Sequence, residues 1–193
     1  IRLLKNVAGL WLLQECKRHW GDVGWDEVIA HAREAAPLKS LIDPDAADFL
    51  NPADMPEAIR SYCRRVGEPE SDTVGEMVRC CLESLALKYR WVIEALETLT
   101  GREIKTIRIV GGGSQNKLLC QFTADATQRV VVAGPVEAPA LGNDLVQAMA
   151  LKQIESLAQA RVAALASSST EIFTPQQNEK GKWDEGYGRL ERK

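Results

Sequence analysis

The sequence predicts an α/β fold, and three stretches of the chain carry this prediction. A β-branched run at 107–110 leads into three glycines and then into apolar residues at helical spacing. A second short apolar run, 130–133, stops at a Gly-Pro pair and is followed by an Ala- and Leu-rich helical pattern from about Ala138. The third stretch, 74–100, has the apolar spacing of a long helix that is buried on more than one side.

In the amino-terminal part, the spacing of apolar residues predicts three shorter helices. The first carries apolar residues from Leu3 to Leu13 and ends near Gly21. A second is expected from Trp25 to Ala35, and a loop with at most one short strand, at Leu41 and Ile42, should follow it. The third helix is expected over 56–66, before Gly67.

The connection to the long helix is polar, and Ser71 or Asp72 is the expected helix cap. After the second strand run, Glu137 is interpreted as a helix-start residue, since a carboxylate complements the helix dipole there. A last helix is expected over 156–166, and the polar carboxyl end should be frayed.

Composition restricts the class of protein. With 193 residues and 45% hydrophobic content, the chain can bury one compact core. Its 24 basic and 27 acidic residues are mixed along the chain and give a net charge of −3, so no basic face favours nucleic acid or an anionic membrane. Without a signal-peptide pattern or a membrane-length apolar run, a soluble, cytoplasmic protein is expected. Because Ile1 opens inside an apolar helical pattern with no cap, we expect that the amino-terminal part of a longer protein is missing.

Cysteine and histidine usage argues against several kinds of site. Five cysteines show no CxxC pair and there are only two histidines, so a structural zinc site is not expected. Buried thiols are the ordinary interpretation, but a disulfide between Cys63 and Cys80, in adjacent predicted helices, stays open. No GxSxG elbow supports a hydrolase triad. The acids near 43–48 lack the glycine and terminal Glu of a calcium loop and are interpreted as turn residues.

The glycine triplet, 111–113, is the strongest candidate for a ligand site. Glycines let a backbone approach a ligand closely, and the start of the following helix suits an anion or a nucleotide. A tight connection that touches no ligand is the alternative. The sequence lacks the Lys-Ser/Thr of a Walker loop, and Asn116 stands where the third glycine of a dinucleotide fingerprint belongs.

Two long segments, VGGGSQNKLLCQFTADAT and VVVAGPVEAPALGNDLVQA, resemble the carboxyl-terminal domain of the FGGY carbohydrate kinases. Within that family the sequence looks most like the rhamnulokinases, to which LLKNVAGLWLLQE is also similar. The resemblance implies a ribonuclease-H-like domain of the actin and hexokinase superfamily, with a mixed sheet and helices on both faces. Residues 1–193 would then form the nucleotide-binding, carboxyl-terminal domain, and the amino-terminal domain would be absent from this chain.

The same resemblance implies the site residues. It assigns nucleotide binding to one helix residue and to the glycine turn: Gln14, Gly111, Gly112, Gly113 and Asn116. Gly112 is expected to contact ATP, while its two neighbours shape the turn and Asn116 secures it by side-chain hydrogen bonds. Asn6 is the expected sugar-binding residue; without the resemblance, Asn6 and Gln14 are ordinary polar helix flanks. No catalytic residue is expected here, since the family's general-base Asp lies upstream.

The function that the resemblance implies is transfer of the γ-phosphoryl group of ATP to L-rhamnulose, giving L-rhamnulose 1-phosphate. ATP with Mg²⁺ is the expected cofactor, and the metal ligands are expected from the missing domain. The expected partners are ATP, the ketose and the protein's own amino-terminal domain. A kinase for another ketose, such as fuculose or xylulose, and a non-catalytic sugar- or nucleotide-binding regulator remain alternatives. Alone, these residues are expected to bind nucleotide weakly without phosphorylating sugar.

Overall fold

The computed structural model describes residues 3–167 and 169–191. In this part of the chain the helices are α1 (Trp11–Trp20), α2 (Trp25–Glu34), α3 (Met55–Val66), α4 (Val74–Thr100), α5 (Lys117–Thr127), α6 (Ala138–Ala150), α7 (Leu157–Ala166) and α8 (Lys180–Leu190). The strands are β1 (Thr106–Ile109), β2 (Val130–Ala133) and β3 (Glu171–Phe173). The predicted α/β class and both predicted strand-to-helix units are confirmed.

The three strands form one mixed sheet in the order β1-β2-β3. β1 and β2 are parallel, with Ile107 opposite Val131, and β3 runs antiparallel with Phe173 opposite Val131. These side chains share one face and pack against Cys120 and Ala124 of α5. The sheet is therefore small, and its edge strand β1 leads directly into the glycine turn.

Helix α4 is the centre of the larger core. Every residue from Cys80 to Leu87 is buried, because α2 and α5 pack on different sides of the helix. Thr73 begins α4 with a capping box: its side chain accepts from the Glu76 amide, and Glu76 accepts from the Thr73 amide. The predicted caps, Ser71 and Asp72, are wrong by one or two residues.

Residues 3–10 differ from the sequence-based expectation. α1 begins at Trp11, and Leu3 and Leu4 are 46% and 84% exposed, so they bury no helical face. The Ala8 amide donates to the Asp45 carboxylate at 3.1 Å, and Gly9 has a φ of +60°. A left-handed glycine and a long-range hydrogen bond together keep this segment out of the helix.

The loop after α2 contains no strand in the described structure. Leu41 and Ile42 are buried, but their amides donate to the side chains of Glu68 and Ser84. Side-chain acceptors thus replace the neighbouring strand that a β-ladder would need.

The carboxyl end forms a packed helix as far as Leu190, and the last two residues of the polar end that the sequence predicts to be frayed lie outside the described residues. Trp183 and Tyr187 lie one turn apart on α8 and are buried in the main core. The Trp183 ring lies 5.5 Å from that of Phe122 on α5. Arg189 donates to the Leu38 carbonyl at 2.8 Å and also pairs with Glu68.

Helices α6 and α7 form an apolar hairpin on the surface. In α6 no residue is fully buried, and in the described part of α7 the buried residue is Ala160. More than half of the surface of each of these apolar side chains is exposed: Val146, Leu151, Leu157, Val162 and Leu165. Within the described residues this hairpin has no apolar partner large enough to cover it.

All five cysteines are buried free thiols, as expected. Cys63 and Cys80 do lie close enough for a thiol–thiol hydrogen bond, which with burial raises the pKa of Cys80. The disulfide that the sequence left open is not formed. Every helix in the described ranges is too short or too polar to cross a membrane.

Candidate functional site

A cleft of about 950 Å³ opens between the amino-terminal helices, the edge strand β1 and the turn into α5. Its lining comes from α1 and the residues before it, α2, α4, β1 and the turn: Gly9, Leu10, Gln14, Trp25, Asp26, Ile29, Tyr89, Ile107, Arg108, Ile109, Val110, Gly112, Gly113, Gln115, Asn116 and Leu119. Four of the five predicted nucleotide-binding residues are therefore brought to one place from two distant parts of the chain.

The glycine turn presents bare backbone to this cleft. Gly112–Gln115 form a single 3₁₀ turn directly after β1. A Cβ built on Gly112 would meet no atom within 4 Å, so the main chain there faces open space. A ligand can consequently approach the Gly112 peptide closely.

Gly111 does not line the cleft, and its role is structural. Its amide donates to the Pro135 carbonyl at 3.0 Å, and its own carbonyl accepts from the Ser114 amide at 3.0 Å. The Ser114 hydroxyl donates to the same carbonyl at 2.7 Å. With a φ of +78°, Gly111 sets the direction of the turn.

Asn116 secures the turn, as predicted. Its side-chain oxygen accepts from the Leu119 amide at 3.0 Å and caps α5. The first amides of α5 have no acceptor within the helix, and its dipole adds partial positive charge at this end. The mouth of the cleft is thus favourable for an anionic group.

Gln14 and Asn6 are placed differently. Gln14 lies on α1, is exposed and lines the cleft. Asn6 is also exposed but does not line it; it lies three residues before Gly9, which does. Since α1 begins only at Trp11, the two side chains are not related by helical spacing as the sequence had suggested.

Three apolar or aromatic lining residues were not predicted. Trp25 and Ile29 are one turn apart on α2, and Tyr89 comes from α4. The ammonium of Lys17 lies 5.4 Å from the centroid of the Trp25 ring. Burial raises the pKa of Tyr89 above its usual value, which keeps that hydroxyl neutral. In the sequence, the one local sign of these three lining residues is a large aromatic residue, Trp25, at an exposed helix start.

The few charged side chains in the cleft suit ligand binding more than acid–base catalysis. Its lining contains one carboxylate, Asp26, and one guanidinium, Arg108. Among the residues that the structure describes, no three His, Cys, Asp or Glu side chains are grouped to hold a metal. The rest of the lining combines exposed backbone, carboxamides, two aromatic rings and six aliphatic side chains.

A second, smaller cleft of about 570 Å³ lies on the other side of α5. Its buried acids already have partners in the protein: Glu83 accepts from Arg79 at 2.7 Å, and Asp125 accepts from the Gln176 amide at 2.7 Å. Burial raises the pKa of Glu83 to about 7. These groups hold elements of the fold together.

The sequence matches a known family over most of its length. Residues 1–151 match the carboxyl-terminal domain of the FGGY family of carbohydrate kinases. A rhamnulokinase from Bacteroides thetaiotaomicron is 48% identical over 187 residues, covering 97% of this chain and 38% of that protein. A rhamnulokinase from Enterococcus faecalis is 41% identical over 90% of this chain and 36% of that protein. The chain thus spans less than two fifths of the length of these relatives.

Solved structures support the fold. A xylulose kinase from Rhodospirillum rubrum superposes with a TM-score of 0.66 at 22% identity, covering 96% of this chain and 36% of that one. A glycerol kinase from Plasmodium falciparum, solved with ADP, gives 0.63 at 18% identity over 94% of this chain and 36% of that one. These superpositions confirm the predicted actin- and hexokinase-like α/β fold.

Proposed function

This chain belongs to the FGGY family of carbohydrate kinases, and from that membership we propose that the full-length protein phosphorylates a ketose with ATP. The sugar is L-rhamnulose and the product L-rhamnulose 1-phosphate. Support for this substrate comes from relatives named rhamnulokinase, which are 48% and 37% identical in two different bacteria. The chain described above supplies the nucleotide-binding half of the enzyme.

The observation that carries the proposal is the convergence of Gln14, Gly112, Gly113 and Asn116 on one cleft. About a hundred residues separate Gln14 from the glycine turn, so chance clustering of a helix residue with this turn is not expected. The open backbone at Gly112 and the amino end of α5 fit a phosphate chain, since both offer amide donors without a side chain in the way.

Phosphoryl transfer depends on positioning and on charge stabilisation. In this proposal Gly112, Gly113 and the start of α5 hold the nucleotide, and Gly111 shapes the turn. Asn6, three residues before Gly9 of the cleft lining, binds the sugar. The cleft offers one carboxylate, and among the described residues no three His, Cys, Asp or Glu side chains are grouped to hold a metal. The general base and the Mg²⁺ ligands are therefore assigned to the part of the relatives that this chain does not span.

A second domain would also explain the apolar hairpin α6–α7. Five large apolar side chains there are more than half exposed. Contiguous apolar surface of this kind marks an interaction site. We propose that the amino-terminal domain of the same protein covers this surface, because 62% of the length of the Bacteroides relative lies outside the match.

The test is a coupled kinase assay on the full-length protein with ATP, Mg²⁺ and a panel of L-rhamnulose, L-fuculose and D-xylulose. L-Rhamnulose should give a kcat/KM at least tenfold above the other two. A higher value for another ketose would reassign the substrate, and ATP binding without turnover would favour a regulator. Kinase-level turnover by residues 1–193 alone would contradict the assignment of the base to the missing part.

A variant pair ties the activity to the glycine turn. Gly112→Val places a side chain in the open space of the cleft and should raise KM for ATP at least tenfold with an unchanged melting temperature. Gly181→Val on α8 is the matched control, because its Cβ would also meet no atom within 4 Å and it lies outside the cleft. Equal KM values in the two variants would remove the turn from the nucleotide site.

A further inference from the structure

Trp25 is a large aromatic residue that the fold itself does not require. It is the first residue of α2, and 45% of its surface is exposed. The same helix is anchored in the core by Val28 and Ala32, which are fully buried. Trp25 instead lines the cleft, with Ile29 one turn further along the same side of the helix.

Trp25 and Gln14 line the same cleft, and a lysine next to Gln14 on α1 reaches the Trp25 ring. Lys17 lies one turn after Gln14 on α1, and its ammonium is 5.4 Å from the Trp25 ring centroid. Residues three apart on a helix are surface neighbours, so Gln14 lies beside the side chain that reaches this ring. Both Gln14 and Trp25 face the cleft that contains Gly112.

We propose that Trp25 binds the nucleobase, with its indole packed against one face of the purine and the Gln14 carboxamide bonded to the purine edge. The inference rests on the proposed function, since it takes the cleft as the ATP site. A planar base presents an apolar face and a polar edge, and these are the two surfaces that an aromatic ring and a carboxamide complement. Gly112 and the start of α5 are left for the phosphates.

The experiment measures binding of ATP and of inorganic tripolyphosphate, which has no base, to the full-length protein by calorimetry. Trp25→Ala should raise the Kd for ATP about tenfold, within the range that loss of one base–aromatic stack produces. It should leave the Kd for tripolyphosphate within twofold of wild type. Trp25→Phe keeps an aromatic face and should bind ATP within about threefold of wild type.

Trp91→Ala is the matched control. Trp91 is 42% exposed and also lies under a lysine, with the Lys88 ammonium 5.0 Å from its ring, but it does not line the cleft. Its replacement should leave ATP binding unchanged. An equal loss of ATP affinity in both alanine variants would overturn the inference.

Fluorescence gives a second measurement that does not depend on the alanine variant folding. ADP should quench the tryptophan emission of the wild type and of Trp91→Phe, and this quenching should disappear in Trp25→Phe. Unchanged quenching in Trp25→Phe, or parallel losses of ATP and tripolyphosphate in Trp25→Ala, would overturn the role of Trp25 while the kinase assignment stands. Absence of ATP binding by the wild type would overturn the proposed function and this inference together.

Discussion

Glu83 is a carboxylate held where water hardly reaches it. It is 1% exposed, and its two oxygens accept from the Arg79 side chain at 2.7 Å and from the Leu38 amide at 2.8 Å. These contacts give the Arg79–Glu83 pair a structural role. Burial outweighs both partners and raises the pKa of Glu83 from 4.5 to about 7.

The raised pKa predicts a pH dependence of stability. The folded state binds this proton more tightly than the unfolded chain, so the contribution is full below about pH 4.5 and is lost as pH rises to about 7. Glu83→Gln does not titrate. The stability of this variant relative to wild type, given as the difference in the free energy of unfolding, should therefore increase by about 3 kcal/mol as the pH rises across this range.

Urea denaturation of both proteins between pH 4.5 and 8 measures this difference. Glu185→Gln, at an exposed position on α8, is the control and should follow wild type at every pH. A constant difference between Glu83→Gln and wild type would show that Glu83 stays charged in the folded protein.

At the scale of the elements, helices α2 and α4 approach each other closely. A Cβ on Gly75, in the first turn of α4, would lie 2.6 Å from the His31 carbonyl oxygen of α2. Main-chain atoms cannot move aside as a flexible side chain can. Gly75 therefore fixes the distance between α2, which contributes Trp25 to the cleft, and α4, which contributes Tyr89.

Gly75→Ala should destabilise the protein by about 1–3 kcal/mol, because the added methyl group forces the two helices apart. Gly142→Ala is the contrasting change. Gly142 lies within α6, where a Cβ would meet no atom within 4 Å, so this change should be neutral or stabilise by up to about 1 kcal/mol. The midpoint of urea unfolding measures both; equal effects would contradict the close contact at Gly75.

The elements with clear periodicity could be predicted from the sequence, including α4, α5 and both strands that flank α5. The errors arise where local pattern and tertiary environment disagree. Leu3 and Leu4 have helical spacing but no surface to pack on. The polar composition after residue 180 hid Trp183 and Tyr187, whose four-residue spacing marks the buried side of α8.

The candidate site was only partly predictable for a related reason. Gln14, Gly112, Gly113 and Asn116 followed from a family resemblance, because residue types and spacing alone leave a glycine turn open to several interpretations. The wall formed by Trp25, Ile29 and Tyr89 depends on how α2 and α4 pack beside β1. Such long-range placement leaves no local signal in the sequence beyond the large aromatic residue at the start of α2.

At the scale of the whole molecule, the apolar hairpin α6–α7 is the largest feature without a partner in the described residues. Its side chains contribute little to either hydrophobic core. A chain that spans 38% of a relative can leave such a surface for the remaining 62% to cover. Substitutions in this hairpin should therefore lower the activity of the full-length protein while leaving the stability of residues 1–193 almost unchanged.

Val162→Glu combined with Leu165→Glu tests this. Both side chains are more than half exposed, so the free energy of unfolding of residues 1–193 should change by less than about 0.5 kcal/mol. In the full-length protein the two charges should lower kcat/KM at least tenfold by separating the domains. Leu99→Glu, at a position 75% exposed on α4, is the control. Full activity of the double variant would exclude the hairpin as a domain contact.

The packing of α8 has a practical consequence for recombinant expression. The family match stops at residue 151, yet Phe173, Trp183 and Tyr187 complete the two hydrophobic cores. Arg189 ties this final helix to a loop some 150 positions earlier through the Leu38 carbonyl. A protein truncated after residue 151 would lack these side chains and leave both hydrophobic cores exposed, so it should aggregate. Residues 152–193 should therefore be included when the domain is expressed.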